Sequence, residues 1–263
     1  MALDFSNAKL VVLKLGTQVA VENGLFNSAF AESLAKTIAE RQAKGKRFVI
    51  VSSGAIGLGK AQFGVSLEGI PKEIPLQQAS AAVGQILLMD SFKDAFSKFG
   101  VKIGQVLLTQ HNFADAKNLR NLKNTVGELL RHGVVPVINE NDAVAVEELA
   151  SKSVFSDNDV LSALVAVHLK AQLLVIFTGV EGLYDKDPLT NGDAKIIRRV
   201  SDVSKVDVSL KGKSASGRGG FETKMQAAKI VLKKGVPLII AKGEKGALGK
   251  ILSGAQNGTL FMK

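Results

Sequence analysis

The sequence predicts an α/β fold built on a mainly parallel sheet with helices on both faces. Two observations carry this. Short segments that are apolar throughout alternate with longer segments of helical spacing, and a strand without polar alternation is one buried on both sides. Several of those apolar segments end in glycine, and strand ends are where open α/β sheets bind ligands.

Taken in order, Lys9–Leu15 is rich in Val and Leu, ends at Gly16 and predicts a buried strand. Asn27–Lys44 carries Phe30, Leu34 and Ile38 at helical spacing and stops at Gly45. Arg47–Val51 predicts a second strand, closed by Ser52, Ser53 and Gly54. Pro75–Phe99 predicts a long helix with Pro in its first turn and Gly100 beyond its end. Val101–Leu108 follows as a strand, Asp115–Arg131 as a helix stopped by His132 and Gly133, and Val134–Ile138 as a buried strand. Asp157–Lys170 predicts a helix, Leu173–Phe177 a strand, Glu222–Lys234 a helix and Val236–Ala241 a strand. Gly179–Val200 breaks the rhythm, and its turn signals, Asp187-Pro188 and Asn191-Gly192, predict a hairpin or excursion. No Pro- or Ser-rich linker and no repeat divides the chain. A single domain over residues 1–263 is expected, with N-terminal (about 1–170) and C-terminal (about 171–263) lobes sharing the sheet.

Composition narrows the function. Hydrophobic residues make up 46% of the 263 and charged residues 22%, enough to bury a substantial core. There is no Cys, which excludes disulfides, zinc–thiolate sites and cysteine nucleophiles. His111, His132 and His168 are scattered, so no metal site is expected. The N-terminus has no secretory signal, and the longest apolar runs fall short of the ~18 residues of a membrane helix. A cytoplasmic protein without membrane contact is expected. Lys and Arg number 34 against 24 Asp and Glu, a net charge of +10, and the pI near 9.7 points to anionic partners. Trp is absent and Tyr184 is the single Tyr, so stacking platforms for single-stranded nucleic acid are scarce.

Four glycine-containing turns follow predicted strands or precede predicted helices: Gly16, Gly54, Gly179 and Gly217 to Gly220. Glycine lets backbone approach a phosphate, and N–H groups at the next helix start bind anions. GxxxxGK[ST] is absent and no GxGxxG follows a strand, which disfavours P-loop kinases and nicotinamide dehydrogenases. Lys14 sits inside an apolar strand just before Gly16. Such a lysine either snorkels to solvent or aims its charge at a phosphate. Lys211, Lys213, Arg218 and Lys224 surround the small residues Ser214–Gly220, as a solvated loop or as a clamp on nucleotide phosphates. Lys224 at a helix start opposes the helix dipole, a conflict that a bound anion resolves. Asn139-Glu140-Asn141-Asp142 follows one strand and Ser156-Asp157-Asn158-Asp159 opens a helix. Capping explains one such residue. The mixture of acceptors and donors suits a zwitterionic amino acid, with a carboxylate for its ammonium and amides for its carboxylate.

With these residues together, the chain resembles the amino-acid kinase family, and within it the glutamate branch. The likeness runs over nearly all of residues 9–262, through KLVVLKLGT, VSSGAIGLGK, PVINENDAVAVEEL, FSDNDVLSALVA, VIFTGVEGLYDKDP and SGRGGFETKMQAAKI in the family's order. The resemblance implies a three-layer αβα sandwich of the carbamate kinase-like type. It implies transfer of the γ-phosphoryl of Mg-ATP to the γ-carboxylate of L-glutamate, the first step toward proline, with Mg²⁺ carried by the nucleotide. By matched position it implies Lys14 and Lys224 as phosphate-binding lysines and Asp159 as the acidic organiser. It places Ser53, Gly54, Ala55, Asn139, Asp142 and Asn158 at glutamate. It places Lys14, Gly16, Thr178, Gly179, Arg218, Gly219, Gly220, Phe221, Glu222, Thr223 and Lys224 on the nucleotide side. L-Proline as feedback inhibitor and a homo-oligomer, dimer or tetramer, are implied as well, without nucleic acid or membrane.

The chemistry agrees with that assignment. An ionised carboxylate needs no general base, and phosphoryl transfer rests on positioning and charge stabilisation. Asp159 is therefore expected to orient the two lysines, and Asp142 to pair with the α-ammonium. N-Acetylglutamate and aspartate remain alternative acceptors, and a non-catalytic basic nucleic-acid-binding protein is the alternative from another class. Three departures from the family stand out: Gly179 where an Asp is usual, Ser156 for a Gly, and Arg218 and Phe221 in a loop that more often reads GTGGM. The chain ends after GTLFMK, so the small C-terminal PUA domain of many relatives is expected to be absent.

Overall fold

A computed structural model describes residues 5–22, 24–64, 73–109, 111–144, 158–186, 190–206, 220–255 and 257–263. Its strands are β1 (Leu10–Leu15), β2 (Val21–Glu22), β3 (Leu25–Phe26), β4 (Arg47–Ser52), β5 (Ile103–Leu108), β6 (Val135–Glu140), β7 (Leu173–Thr178), β8 (Arg199–Val200), β9 (Leu238–Lys242) and β10 (Thr259–Phe261). Its helices are α1 (Thr17–Ala20), α2 (Ser28–Gln42), α3 (Ala55–Gln62), α4 (Ile74–Ser97), α5 (His111–Ala114), α6 (Ala116–Arg131), α7 (Asn158–His168), α8 (Phe221–Lys233) and α9 (Ala247–Leu252).

The main sheet has the order β5-β6-β4-β1-β7-β9-β10-β8. From β5 to β9 every neighbouring pair is parallel. β10 runs antiparallel to β9 and parallel to β8, so only this edge is mixed. The period of two along β1 divides the core. Val11, Leu13 and Leu15 join one cluster with Phe30, Leu34 and Ile38 of α2 and Leu88, Phe92 and Phe96 of α4. Leu10 and Val12 join another with Leu122, Val126 and Leu130 of α6 and with α7 and α8. Helices thus cover both faces, in three layers. Among the described residues no helix is long and apolar enough to cross a membrane.

Two of the predicted helix starts have side-chain caps. Asn27 accepts from the Phe30 N–H at 3.1 Å and Asp115 from the Asn118 N–H at 2.8 Å. The predicted excursion after β7 folds back on itself: Tyr184 bridges Ile196 antiparallel, and the Asp185 N–H donates to the Lys195 carbonyl at 3.0 Å. Asp187 and Pro188 of its turn lie outside the described residues.

The structure corrects one boundary that matters. Asn139 and Glu140 do not follow the strand but complete β6, because β5 continues alongside and pairs Leu107 with Asn139 and Leu108 with Glu140. It also adds elements not predicted from sequence: α1, α3, α5, α9, the β2–β3 hairpin, β8 and β10. Most are six residues or shorter, too short for a periodicity to show. α3 contains Gly57 and Gly59, poor helix formers, and its backbone is held against α4.

Candidate active site

The C-terminal ends of β1, β4, β6 and β7 meet the N-termini of α3, α7 and α8. Lys14 follows Leu10 and Val12 on the same face of β1, one register step from the strand's end. α7 packs across that face and beside α8, and its first turn delivers Asn158 and Asp159. The first turn of α8 delivers Thr223 and Lys224.

Asp159 is fully buried and stands between two cations. Lys14 Nζ lies 2.6 Å from Oδ1 and Lys224 Nζ 3.1 Å from Oδ2. The Thr223 hydroxyl is 3.0 Å from Oδ2 and 3.0 Å from the Gly220 carbonyl, so its one proton serves either acceptor. Burial alone raises the Asp159 carboxyl, but the ammonium groups of Lys14 and Lys224 outweigh it and lower it to about 2. The carboxylate is therefore ionised at neutral pH, and its low pKa makes it a weak proton acceptor. Two ammonium groups thus converge at the strand ends, an arrangement that suits an anionic ligand.

Asn158 links this cluster to a chain of amides. Its Nδ2 donates to the Ser52 carbonyl (3.0 Å), Ser53 Oγ (2.7 Å) and Asn139 Oδ1 (3.2 Å). Asn139 Oδ1 also accepts the Glu140 N–H at 2.9 Å, and Asn139 Nδ2 donates to Gln85 Oε1 of α4 at 2.9 Å. Asn139 is buried at 2% exposure and has both polar atoms engaged. Its place is the hub that holds Asn158 and Gln85.

Gly54 has φ of 114°, the left-handed region, and a Cβ there would lie 2.6 Å from Val21 Cγ2. α3 starts directly after it and α8 after Gly220, both without a side-chain cap, so their first N–H groups are of the kind that hold anionic oxygens. Gly16 packs close to the Phe177 carbonyl, 3.2 Å from a built Cβ.

Asp142 and Ala55 border a cleft of about 210 Å³, also lined by Gln85, Glu140, Asn141 and Ala81. Thr178 ends β7, and Gly179 follows it beside Gln18 of α1, whose Oε1 lies 2.8 Å from a Cβ built on Gly179. Phe221 and Glu222 occupy the first turn of α8. Arg218 and Gly219 lie outside the described residues, as do Lys211, Lys213, Ser156 and Asp157. His168 ends α7 away from its N-terminal site, and burial lowers its pKa.

Sequence reasoning missed Gln85 and Gln18. Gln85 had a signal: with Gln77 and Ser80 it is a polar residue on the buried side of α4. Gln18 had none, since an exposed Gln in a single helical turn is ordinary.

For a divalent cation, the donors present are few. The buried carboxylate at the strand ends is already engaged by both lysines, and among the described residues no group of three or more His, Asp or Glu could hold a metal ion. The carboxylate present is thus occupied in orienting the two lysines.

Comparison with known proteins shows the family and the fold. The model of the amino acid kinase family matches residues 9–242. The chain is 40% identical to the glutamate 5-kinase of Methanococcoides burtonii, over 97% of this chain and 68% of that protein. It is 40% identical to the glutamate 5-kinase of Clostridium acetobutylicum, over 98% of this chain and 96% of that one. A solved structure of isopentenyl phosphate kinase superposes with a TM-score of 0.63 at 15% identity, covering 96% of this chain and 100% of the other, which shows the shared fold.

Proposed function

Because the chain belongs to the amino acid kinase family, we infer that it is an ATP-dependent kinase for the γ-carboxylate of L-glutamate. It forms L-glutamyl 5-phosphate and ADP, the first step of proline biosynthesis. The observation that carries this is the buried Asp159 between Lys14 and Lys224, adjoining the Asn158–Asn139–Gln85 amide chain.

The residues divide the work. A γ-carboxylate oxygen of glutamate attacks the γ-phosphorus of ATP, a P–O bond forms, and the bond to the β–γ bridging oxygen breaks with ADP as leaving group. The attacking group is already ionised near pH 7, so no proton need be removed. The obstacle is repulsion between two anions. Lys14 and Lys224 offset it, held in place by Asp159, with the N–H groups at Gly54 adding donors; the Gly16 N–H, expected to do the same, instead donates to the Phe177 carbonyl at 3.1 Å. Mg²⁺ bound to ATP neutralises phosphate charge. Ser53, Gly54, Ala55, Asn139, Asp142 and Asn158 surround glutamate in the half built from residues 1–170. Thr178, Gly179 and Gly220 to Thr223, with Arg218 and Gly219, lie toward the nucleotide in the other half.

The sheet order supports that division, since β5, β6, β4 and β1 form one half and β7, β9, β10 and β8 the other. Ile86 at 73% and Val144 at 65% exposure, both apolar and beside the cleft, support a homo-oligomer. The acidic and amide lining suits a zwitterion, which supports L-proline as an inhibitor at or near the glutamate position. The reading places the protein in the cytoplasm, where ATP and glutamate are supplied.

A hydroxylamine trap of acyl phosphate tests it, with Mg-ATP and L-glutamate, N-acetylglutamate or L-aspartate in separate reactions. Hydroxamate from glutamate alone is expected. Hydroxamate from another acceptor alone overturns the glutamate assignment.

A further inference from the structure

We propose that Gln85 is a specificity-determining residue, whose Nε2 donates a hydrogen bond to the α-carboxylate of the bound amino acid. The proposal rests on the glutamate-kinase reading of the site.

The orientation of Gln85 is dictated from the backbone. The Glu140 N–H has only a proton to offer, so the Asn139 atom facing it is Oδ1. That turns Asn139 Nδ2 toward Gln85 and makes the facing Gln85 atom Oε1. The second donor set of the chain, Asn158 Nδ2 on the Ser52 carbonyl, agrees, because it too presents a donor to Asn139 Oδ1. Gln85 Nε2 is the outcome of this relay. It is buried and has no hydrogen-bond partner among the described residues, while the residue as a whole is 8% exposed. An unused buried donor is costly, so a group that accepts from it on binding recovers that cost.

Gln85 lines the cleft together with Asp142 and Glu140. Those acids suit an α-ammonium. None of the described residues lining the cleft is basic, and among them the neutral amide donors are the groups suited to an α-carboxylate. The other end of the amide chain, at Asn158, adjoins Asp159 and the lysines, where the γ-carboxylate reacts. Glutamate laid along the chain therefore brings its α-carboxylate to Gln85. Gln105 and Asn141 also line the cleft, but Gln105 is exposed and Asn141 half-buried. Neither is held as Gln85 is.

The test compares kcat and KM for L-glutamate and for L-isoglutamine, whose α-carboxylate is a carboxamide and whose γ-carboxylate is intact. Gln85→Glu keeps the oxygen that accepts from Asn139 and replaces only the Nε2 donor. The expected result is a glutamate KM raised about tenfold or more, with kcat within about threefold and the ATP KM unchanged. The isoglutamine-to-glutamate ratio of kcat/KM should rise by about tenfold or more, because the carboxamide supplies the donor the variant lacks. Gln85→Met, which also removes the Asn139 contact, should move the same ratio upward and serves if Gln85→Glu does not fold. A merely structural role would weaken both acceptors alike. A wild-type ratio in the folded variants overturns the proposal alone. Wild-type protein that turns over neither acceptor overturns the kinase reading, and this proposal with it.

Discussion

Gly84 of α4 lies against the carbonyl oxygen of Ala55, the first residue of α3, so closely that a Cβ built on Gly84 would overlap it. The contact is reciprocal: a Cβ on Gly59 of α3 would overlap the Ser80 carbonyl of α4. The two helices thus touch backbone to backbone, and this brings Gln85 and Ala55 to one cleft. Gly84→Ala should force the helices apart, with a loss of about 1–3 kcal/mol in stability. The glutamate KM should rise while the ATP KM holds. Thermal unfolding and steady-state kinetics check both, and an unchanged Tm would show that the backbone has room to yield.

Asp159→Asn removes the charge that holds Lys14 and Lys224 together while keeping an acceptor for Thr223. The expected outcome is a kcat lower by about 100-fold, with glutamate KM little changed, as for loss of preorganised electrostatics. A large rise in KM with kcat intact would rule out the orienting role.

The pH behaviour follows from the same group. The folded-state pKa of Asp159 is about 2, below its ordinary 3.8. A depressed carboxyl contributes stability that is present above the unfolded pKa and lost as pH falls through the folded one. The contribution, about 2 kcal/mol, is therefore constant through neutral pH and disappears between roughly pH 4 and 2. Urea titrations across that window should show an acid-side loss in wild type that is smaller in Asp159→Asn. The kcat profile between about pH 5 and 9 should show no titration of Asp159.

Asp142 borders the cleft with Gln85 and Glu140. Asp142→Ala should raise the glutamate KM by about tenfold or more, and should narrow the preference for glutamate over N-acetylglutamate, which has no α-ammonium. Unchanged affinity for glutamate, measured by calorimetry, would remove Asp142 from that role.

Gly179 and Gln18 share one space. Because Gln18 Oε1 is the far end of a flexible side chain, Gly179→Asp should fold, but with Gln18 displaced. The pair Gly179→Asp and Gln18→Ala should depart from additivity in the ATP KM by about 1 kcal/mol. Strict additivity would mean that the two side chains act separately on the nucleotide.

Much of this site was legible along the chain. Lys14 shares a face with Leu10 and Val12 by the period of two, Asp159 belongs to a helix start, and Lys224 to the first turn of another. These are local properties, set by repeat and capping over a few residues. Asn139 was legible as a residue of interest, but its partners were not, and its place inside β6 depends on the neighbouring strand β5.

The sequence by itself determined the class of fold, the strand ends that the candidate site occupies, and the residues that carry charge there. The tertiary structure decided which of them meet. Gln85 reaches Asn139 across 54 residues, Asn158 reaches Ser53 across 105, and Lys224 reaches Asp159 across 65. No periodicity encodes such contacts. They exist because the sheet order sets β4 between β6 and β1, and because α3 and α4 approach until their backbones touch. Both depend on how complementary surfaces pack once the local elements have formed.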